Sequence, residues 1–257
     1  MCKSCLEYKN NVHSRNGNDG IIEFIFDQLN IKNGSFIDFG AGNCELYSNS
    51  FSLVQKGWTG LMIENNSKKF VKLMNLYESF NNITFLRELV SYYDDCNLDT
   101  IIESIGYHNK GFDFISINVG GLEYNIFKSI KKNLPKVFCI DVNPGHSPNS
   151  DIELSDDIAR FNIGQSLSVI CKEGHDKGYF PLCYTGSIFL IKYEYYNIFI
   201  YYIDGKNILD IYCDYLHYLD DKELKVLFDT FVVIRYYNGI WFKNDVLKNY
   251  CIFRKIQ

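Results

Sequence analysis

Residues 35–45, Ser-Phe-Ile-Asp-Phe-Gly-Ala-Gly-Asn-Cys-Glu, set a short apolar run directly against a glycine turn. A second apolar run, Leu61-Met62-Ile63, ends in Glu64, 22 residues after Gly42. Short apolar runs bounded by turn residues read as strands buried on both faces. Gly40 permits a tight turn there, and Gly42 lets the backbone approach a ligand closely. A strand, a glycine turn, a helix and a second strand ending in a carboxylate make the nucleoside-binding half of a doubly wound α/β domain.

The same alternation continues along the chain. A helix over 20–30, capped by Asn18 or Asp19, carries Ile21, Ile22, Ile25, Phe26 and Leu29 on one face. After it come a strand at 36–39, a helix at 45–56 ended by Lys56-Gly57, a strand at 60–64 and a helix at 67–79. Strands are expected at 83–86, 112–119 and 136–141, with helices at 98–104, 123–131 and 163–177 between and after them. Runs 179–184 and 187–192 pair as a hairpin across Thr185-Gly186. Five β-α repeats imply a mostly parallel sheet with helices on both faces, and the closing hairpin forces its last strand antiparallel. That is the Rossmann-like architecture of class I methyltransferases; dinucleotide dehydrogenases lack the hairpin. Residues 1–195 are assigned to this domain with its N-terminal helix. Residues 196–257, rich in aromatics, are assigned to an α/β appendage packed on it, with helices at 208–219 and 222–228 and a strand at 231–237.

Composition narrows the function. A formal charge of −5 disfavours nucleic-acid binding, which needs a basic face. There is no 18-residue apolar run to span a membrane, and Met1-Cys2-Lys3-Ser4-Cys5 lacks the apolar core of a signal peptide. The nine scattered cysteines then read as reduced thiols of a cytoplasmic protein. Cys2 and Cys5 form a lone C-x-x-C without a second pair, which favours a frayed terminus over a metal site; no metal is expected elsewhere. No Walker-type glycine loop and no H-E-x-x-H occur, so nucleotide hydrolysis and zinc-protease chemistry have no support.

The cofactor follows from position 45. A dinucleotide fingerprint wants a third glycine there, but Glu45 would crowd and repel a pyrophosphate. S-adenosylmethionine has no phosphate and tolerates it. Glu64 can accept hydrogen bonds from both ribose hydroxyls, worth roughly 1.5–3 kcal/mol each when charge-assisted. Asp38, next to the turn, can orient that turn, meet the cofactor's ammonium group, or make a purely structural hydrogen bond.

Ser14-Arg15-Asn16-Gly17-Asn18-Asp19-Gly20-Ile21-Ile22 resembles the S-Q-x-G-E-D-G-I-I opening of FkbM-type methyltransferases. The turn 36–42, the run 56–64, and segments 113–124, 137–144 and 162–167 resemble the same group, in order and spacing, over about residues 14–195. The resemblance implies an S-adenosylmethionine-dependent O-methyltransferase acting on a sugar, nucleotide-sugar or glycan hydroxyl. It also implies that Gly40, Gly42 and Glu64 hold the cofactor, with Ser14 and Asn16 near the site. One departure falls at the reaction centre. The family pattern I-D-[IV]-[ED]-G-x-[ED]-Y is here Ile117-Asn118-Val119-Gly120-Gly121-Leu122-Glu123-Tyr124, so Asn118 and Gly120 replace carboxylates while Glu123 is retained.

Methyl transfer to a hydroxyl needs alignment above all. Orientation contributes about 7–11 kcal/mol, whereas a general base adds roughly 10²–10⁴-fold. Asn118 keeps an acceptor oxygen but cannot act as a base. Asp141, ending the fifth strand, and His146, on the loop after it, are the replacement candidates, with a solvated loop histidine the plainer reading of His146. His13, His108, His175 and His217 have no comparable placement. Two functions remain open: an active methyltransferase, or a module that keeps the pocket but has lost turnover and serves as a partner subunit. A nicotinamide oxidoreductase is disfavoured by Glu45 and the hairpin. The aromatic-rich appendage could also serve a homodimer.

Overall fold

Apolar runs too short for helices become strands when both faces can be covered, and all seven here pair into one sheet. The computed structural model describes residues 4–41, 47–107, 111–143, 146, 148, 164–220, 222–225 and 227. Its strands are β1 (Ser35–Phe39), β2 (Thr59–Ile63), β3 (Ile83–Leu86), β4 (Phe114–Ile117), β5 (Val137–Asp141), β6 (Tyr179–Tyr184) and β7 (Ser187–Lys192). Their spatial order is β3-β2-β1-β4-β5-β7-β6. The first five in that order run parallel; β7 lies antiparallel to β5, and β6 antiparallel to β7. This is the Rossmann-like class I methyltransferase sheet expected from the alternation and the closing hairpin. Strand order reverses between β1 and β4, which opens a crevice at their carboxyl ends.

Helices α1 (Asn18–Gln28), α2 (Phe51–Gln55), α3 (Ser67–Leu76), α4 (Leu98–Ser104), α5 (Glu123–Ser129) and α6 (Leu167–Asp176) link and cover the strands. Several boundaries differ from expectation, as where β4 and α6 are shorter than the 112–119 and 163–177 expected, and two differ for plain chemical reasons. Neither Asn18 nor Asp19 caps α1. The cap is Gly17, left-handed at φ 83°, and Asn18 and Asp19 sit inside the first turn with their side chains committed elsewhere. The helix expected over 45–56 begins at Phe51 among the described residues, because Ser48 turns its hydroxyl back to the backbone. Ser48 Oγ accepts from the N–H groups of Ser50 (3.2 Å) and Phe51 (3.1 Å), an alternative to helical bonding. Cys5 is buried within a short 3-10 turn, Cys5–Tyr8, rather than in a frayed end; Cys2 lies outside the described residues.

Past β7 come two further helices, α7 (Tyr196–Ile203), in a stretch without clear periodicity, and α8 (Ile208–His217), the one expected there. Both cover β6: Tyr215 meets Tyr184 edge-on at 4.7 Å, and Phe199 packs near Phe180 at 6.4 Å. The strand expected at 231–237 lies outside the described residues. No described helix is long and apolar enough to cross a membrane.

Under α1 the core is aromatic. Phe26 meets Trp58 edge-on at 4.6 Å and Phe114 at 5.9 Å, and Trp58 Nε1 donates to the Lys32 carbonyl at 3.0 Å. On β2, Gly60 faces the fully buried Phe36 ring so closely that a Cβ there would lie 2.1 Å from it. We expect Gly60→Ala to cost roughly 1–3 kcal/mol by overpacking. A urea denaturation midpoint equal to that of the wild type would show that the ring has room to move.

Candidate active site

The ends of the first two strands meet. Phe39 is paired with Ile63, and the next N–H, of Gly40, donates to the Ile63 carbonyl at 3.1 Å. Gly40 has φ 74°, and a Cβ on it would sit 1.8 Å from the Asn118 carbonyl oxygen at the end of β4. The demand for glycine at position 40 therefore comes from the approach of two strand ends as well as from the turn. Gly42 and Glu45 lie outside the described residues. Over these tips opens a cavity of about 410 Å³, bordered by Asp38, Gly40, Glu64, Asn118 and Asp141 among others.

Glu64 is buried and fixed by the turn that follows it. Its Oε1 accepts from the Asn66 N–H at 2.8 Å, while Asn66 Oδ1 caps α3 by accepting from Lys68 and Lys69. Among the described residues Glu64 Oε2 has no recorded hydrogen-bond partner, and Glu64 borders the cavity. Beside it, Ile63, Leu89, Val90, Leu122 and Ile126 give the cavity an apolar wall. Leu89 is 61 % exposed, a large apolar side chain spent on that wall rather than in the core.

Beneath the cavity runs a chain of buried polar side chains. Asp38 on β1, Ser116 on β4 and Cys139 on β5 are neighbours in register. Ser50 Oγ donates to Asp38 Oδ2 at 2.5 Å, and Asn49 Nδ2 donates to Ser116 Oγ at 3.1 Å. Asn49 Oδ1 in turn accepts from Asn18 Nδ2 at 3.0 Å, and Asn18 Oδ1 accepts from Thr185 Oγ1 at 2.6 Å. Ser187 Oγ donates to Asp141 Oδ1 at 2.5 Å, closing the floor on the β5 side. Burial pushes the carboxyls of Asp38 and Asp141 up to about 6, against the pull of their serine partners.

The end of β4 is shaped by Glu123. Its Oε1 accepts from the N–H groups of Val119 (2.9 Å), Gly120 (2.7 Å) and Gly121 (3.1 Å), and its Oε2 from Gly121 (2.8 Å). The retained carboxylate thus holds the loop and does not border the cavity. Asn118 and Gly120, which stand where the pattern the chain resembles has carboxylates, do border it. Asp141 borders it from β5. His146 does not: it is buried, its N–H donating to the Asn143 carbonyl at 3.3 Å, and most of the surrounding loop lies outside the described residues.

The N-terminal segment reaches the cavity through a residue that sequence reasoning passed over. Asp19 Oδ2 accepts from the N–H groups of Val12 (2.9 Å), His13 (2.7 Å) and Ser14 (2.6 Å) and from Ser14 Oγ (2.8 Å), and these bonds hold its pKa down despite burial. Ser14 is consumed in that knot and does not border the cavity; Asn16, at φ 58°, leans its amide toward Gly186. Arg15 between them does border it, with its guanidinium 3.4 Å above the centre of the Tyr47 ring. Arg15, Tyr47, Asn49 and Ser116 were all missed. Arg15 stood inside the family-like segment 14–22, and for Asn49 the hint was the polar run Ser48-Asn49-Ser50 in a stretch read as helix. No group of histidine, cysteine or acidic side chains suited to a metal occurs among the described residues.

No protein-family model matches this sequence, and no curated protein matches it significantly. Similar solved structures include the SAH-bound methyltransferase PaMTH1 of Podospora anserina (11 % identity, 70 % of this chain and 79 % of that one, TM-score 0.47). A TehB-like SAM-dependent methyltransferase of Corynebacterium glutamicum (11 %, 71 % and 86 %, TM-score 0.41) and a SAM-dependent methyltransferase of Aquifex aeolicus (10 %, 66 % and 88 %, TM-score 0.41) are also similar. At such scores the likeness adds no weight, and fold and site stand on the strand order and the residues.

The raised carboxyls have a measurable consequence. A carboxyl that binds its proton more tightly folded than unfolded contributes stability that is full below the unfolded value of about 4. That contribution is lost as pH rises through about 6. Asp38→Asn should therefore lose less stability than the wild type between about pH 4 and 7, read from urea midpoints across the range. Parallel curves would mean that Asp38 titrates like an exposed carboxylate.

Proposed function

We propose that this protein is an S-adenosylmethionine-dependent O-methyltransferase whose acceptor is a sugar, nucleotide-sugar or glycan hydroxyl. The observation that carries the reading is the chemistry of the cavity over the β1, β2 and β4 ends. Among the described residues its border holds four carboxyl groups, Asp38, Glu64, Glu88 and Asp141, against two cations, Arg15 and Lys69. By the turn after β1, the carboxyls of Asp38 and Glu64 suit a sulfonium cofactor and oppose the pyrophosphate of a dinucleotide bound in the same place. Its volume of about 410 Å³ falls within the range of about 300–1,000 Å³ usual for small-molecule sites.

The residues fit that cofactor. Glu64, with Oε1 occupied by Asn66 and Oε2 open, would hold the ribose hydroxyls. Ile63, Val90 and Leu122 would flank the adenine, and Asp38 would face the amino-acid end. When bound, S-adenosylmethionine supplies an activated methyl carbon to an incoming oxygen. The protein's contribution is then alignment and proton handling. Asp141 takes up the acceptor's hydroxyl proton: with its pKa near 6 it is ionised at neutral pH, and Ser187 fixes its orientation. Asn118 offers a hydrogen bond to the acceptor without competing for that proton. His146 does not border the cavity, and this reading gives the proton to Asp141 instead.

A second reading is favoured by one observation. Asn118 and Gly120 stand at the cavity where carboxylates occur in the pattern the chain resembles, consistent with a module that binds cofactor without turning it over. Both readings are tested by calorimetry followed by assay. Purified protein should bind S-adenosylmethionine but not NAD, and Glu64→Ala should weaken that binding about tenfold or more, as loss of a charged hydrogen-bonding group does. Release of S-adenosylhomocysteine across a panel of sugars, nucleotide sugars and glycans then separates enzyme from silent partner. Unchanged affinity in Glu64→Ala would remove Glu64 from the site.

A further inference from the structure

The cation at the β5 end of the cavity is unspent. Asp19 pins residues 12–14 by their N–H groups, and the His13 carbonyl accepts from the N–H groups of Tyr47 (2.6 Å) and Ser48 (3.1 Å). The segment carrying Arg15 and the one carrying Tyr47 are therefore tied together before their side chains stack. The guanidinium carbon then lies 3.4 Å from the centre of the Tyr47 ring, a cation–π contact that restrains where its donors can point. Among the described residues no ion pair or hydrogen bond engages those donors. Asp141 is near enough for the Arg15 charge to oppose the effect of burial on its carboxyl, yet it accepts from Ser187 instead. The cavity's other cation, Lys69, belongs to the opposite end, in the first turn of α3 beyond Glu64.

A pre-oriented guanidinium with free donors is a receptor for a planar or tetrahedral oxyanion, which it can grip with two parallel bonds. We propose that Arg15, laid on Tyr47, binds an anionic group of the methyl acceptor, so that the substrate is an acidic sugar bearing a carboxylate or a phosphate rather than a neutral one. This rests on the cofactor assignment above, because it takes the Glu64 end of the cavity for the adenosine and leaves the Asp141 end for the acceptor. The competing occupant of Arg15 is the carboxylate of the cofactor's own amino acid.

Calorimetry on the full chain distinguishes these cases. S-adenosylhomocysteine, which carries that carboxylate, and 5′-methylthioadenosine, which lacks it, are titrated into wild type, Arg15→Gln and Arg15→Lys. The protein saturated with S-adenosylhomocysteine is then titrated with D-glucuronate, D-glucose 1-phosphate and D-glucose. The expected result is S-adenosylhomocysteine affinity within about twofold in all three proteins, which also shows that the variants are folded. At least one of the two anionic sugars should bind wild type tenfold or more tighter than glucose. Which of them does so identifies the anion as carboxylate or phosphate. That preference should vanish in Arg15→Gln and be partly restored in Arg15→Lys. A tenfold loss of S-adenosylhomocysteine affinity in Arg15→Gln, with 5′-methylthioadenosine unaffected, would overturn the proposal and give Arg15 to the cofactor. Equal or absent binding of the three sugars, or an anion preference untouched by Arg15→Gln, would overturn it while leaving the cofactor assignment intact. Failure of wild type to bind S-adenosylhomocysteine would overturn both.

Discussion

Asn18 and Asn49 hold the floor of the cavity together by a single amide-to-amide bond of 3.0 Å, and much of the molecule is arranged around it. Asn18 belongs to α1 and reaches the hairpin turn through Thr185 and the start of β7 through Ser187. Asn49 belongs to the turn after β1 and reaches β4 through Ser116. Both amides are buried, so each unmade bond would carry a desolvation cost of about 1–3 kcal/mol. A half-satisfied network of this kind is worse than an apolar floor, which makes the set cooperative: it forms whole or the layers do not close.

That coupling explains why the sheet can afford polar residues at its centre. Asp38, Ser116 and Cys139 interrupt three adjacent strands that, apart from the end residues Ser35 and Asp141, otherwise present phenylalanine, isoleucine and valine. Their polarity is confined to one row near the carboxyl ends, where α/β sheets place their ligands. The apolar rows below, with Trp58, Phe26 and Phe114, carry the packing. Chemistry and stability are thus separated along the strand axis rather than between faces.

The strands were legible because their signals are local. Apolar runs ended by turn residues gave all seven strands, and Thr185-Gly186 gave the hairpin and hence the direction of β7. What escaped were interactions between segments far apart in the chain. Asp19 looked like a helix cap, yet its carboxylate gathers N–H groups of residues 12–14. Glu123 looked like a survivor of the reaction centre, yet it is consumed by the backbone of 119–121. Arg15 lay inside the segment that resembles the family opening, at a position where that pattern has glutamine, and only its position above Tyr47 gives it meaning. The identity of a carboxylate can be read from one sequence; what it faces cannot.

Glu123 has a wider implication. Because four N–H contacts from one side chain dictate the path of the loop beyond β4, that path does not depend on the side chain that stands at position 118. The side chain at position 118 can be exchanged without the scaffold paying for it, whereas Gly120, at φ 78°, holds a backbone conformation that strains any other residue. A lineage could therefore lose, regain or redirect reactivity at position 118 while the architecture around it stayed still.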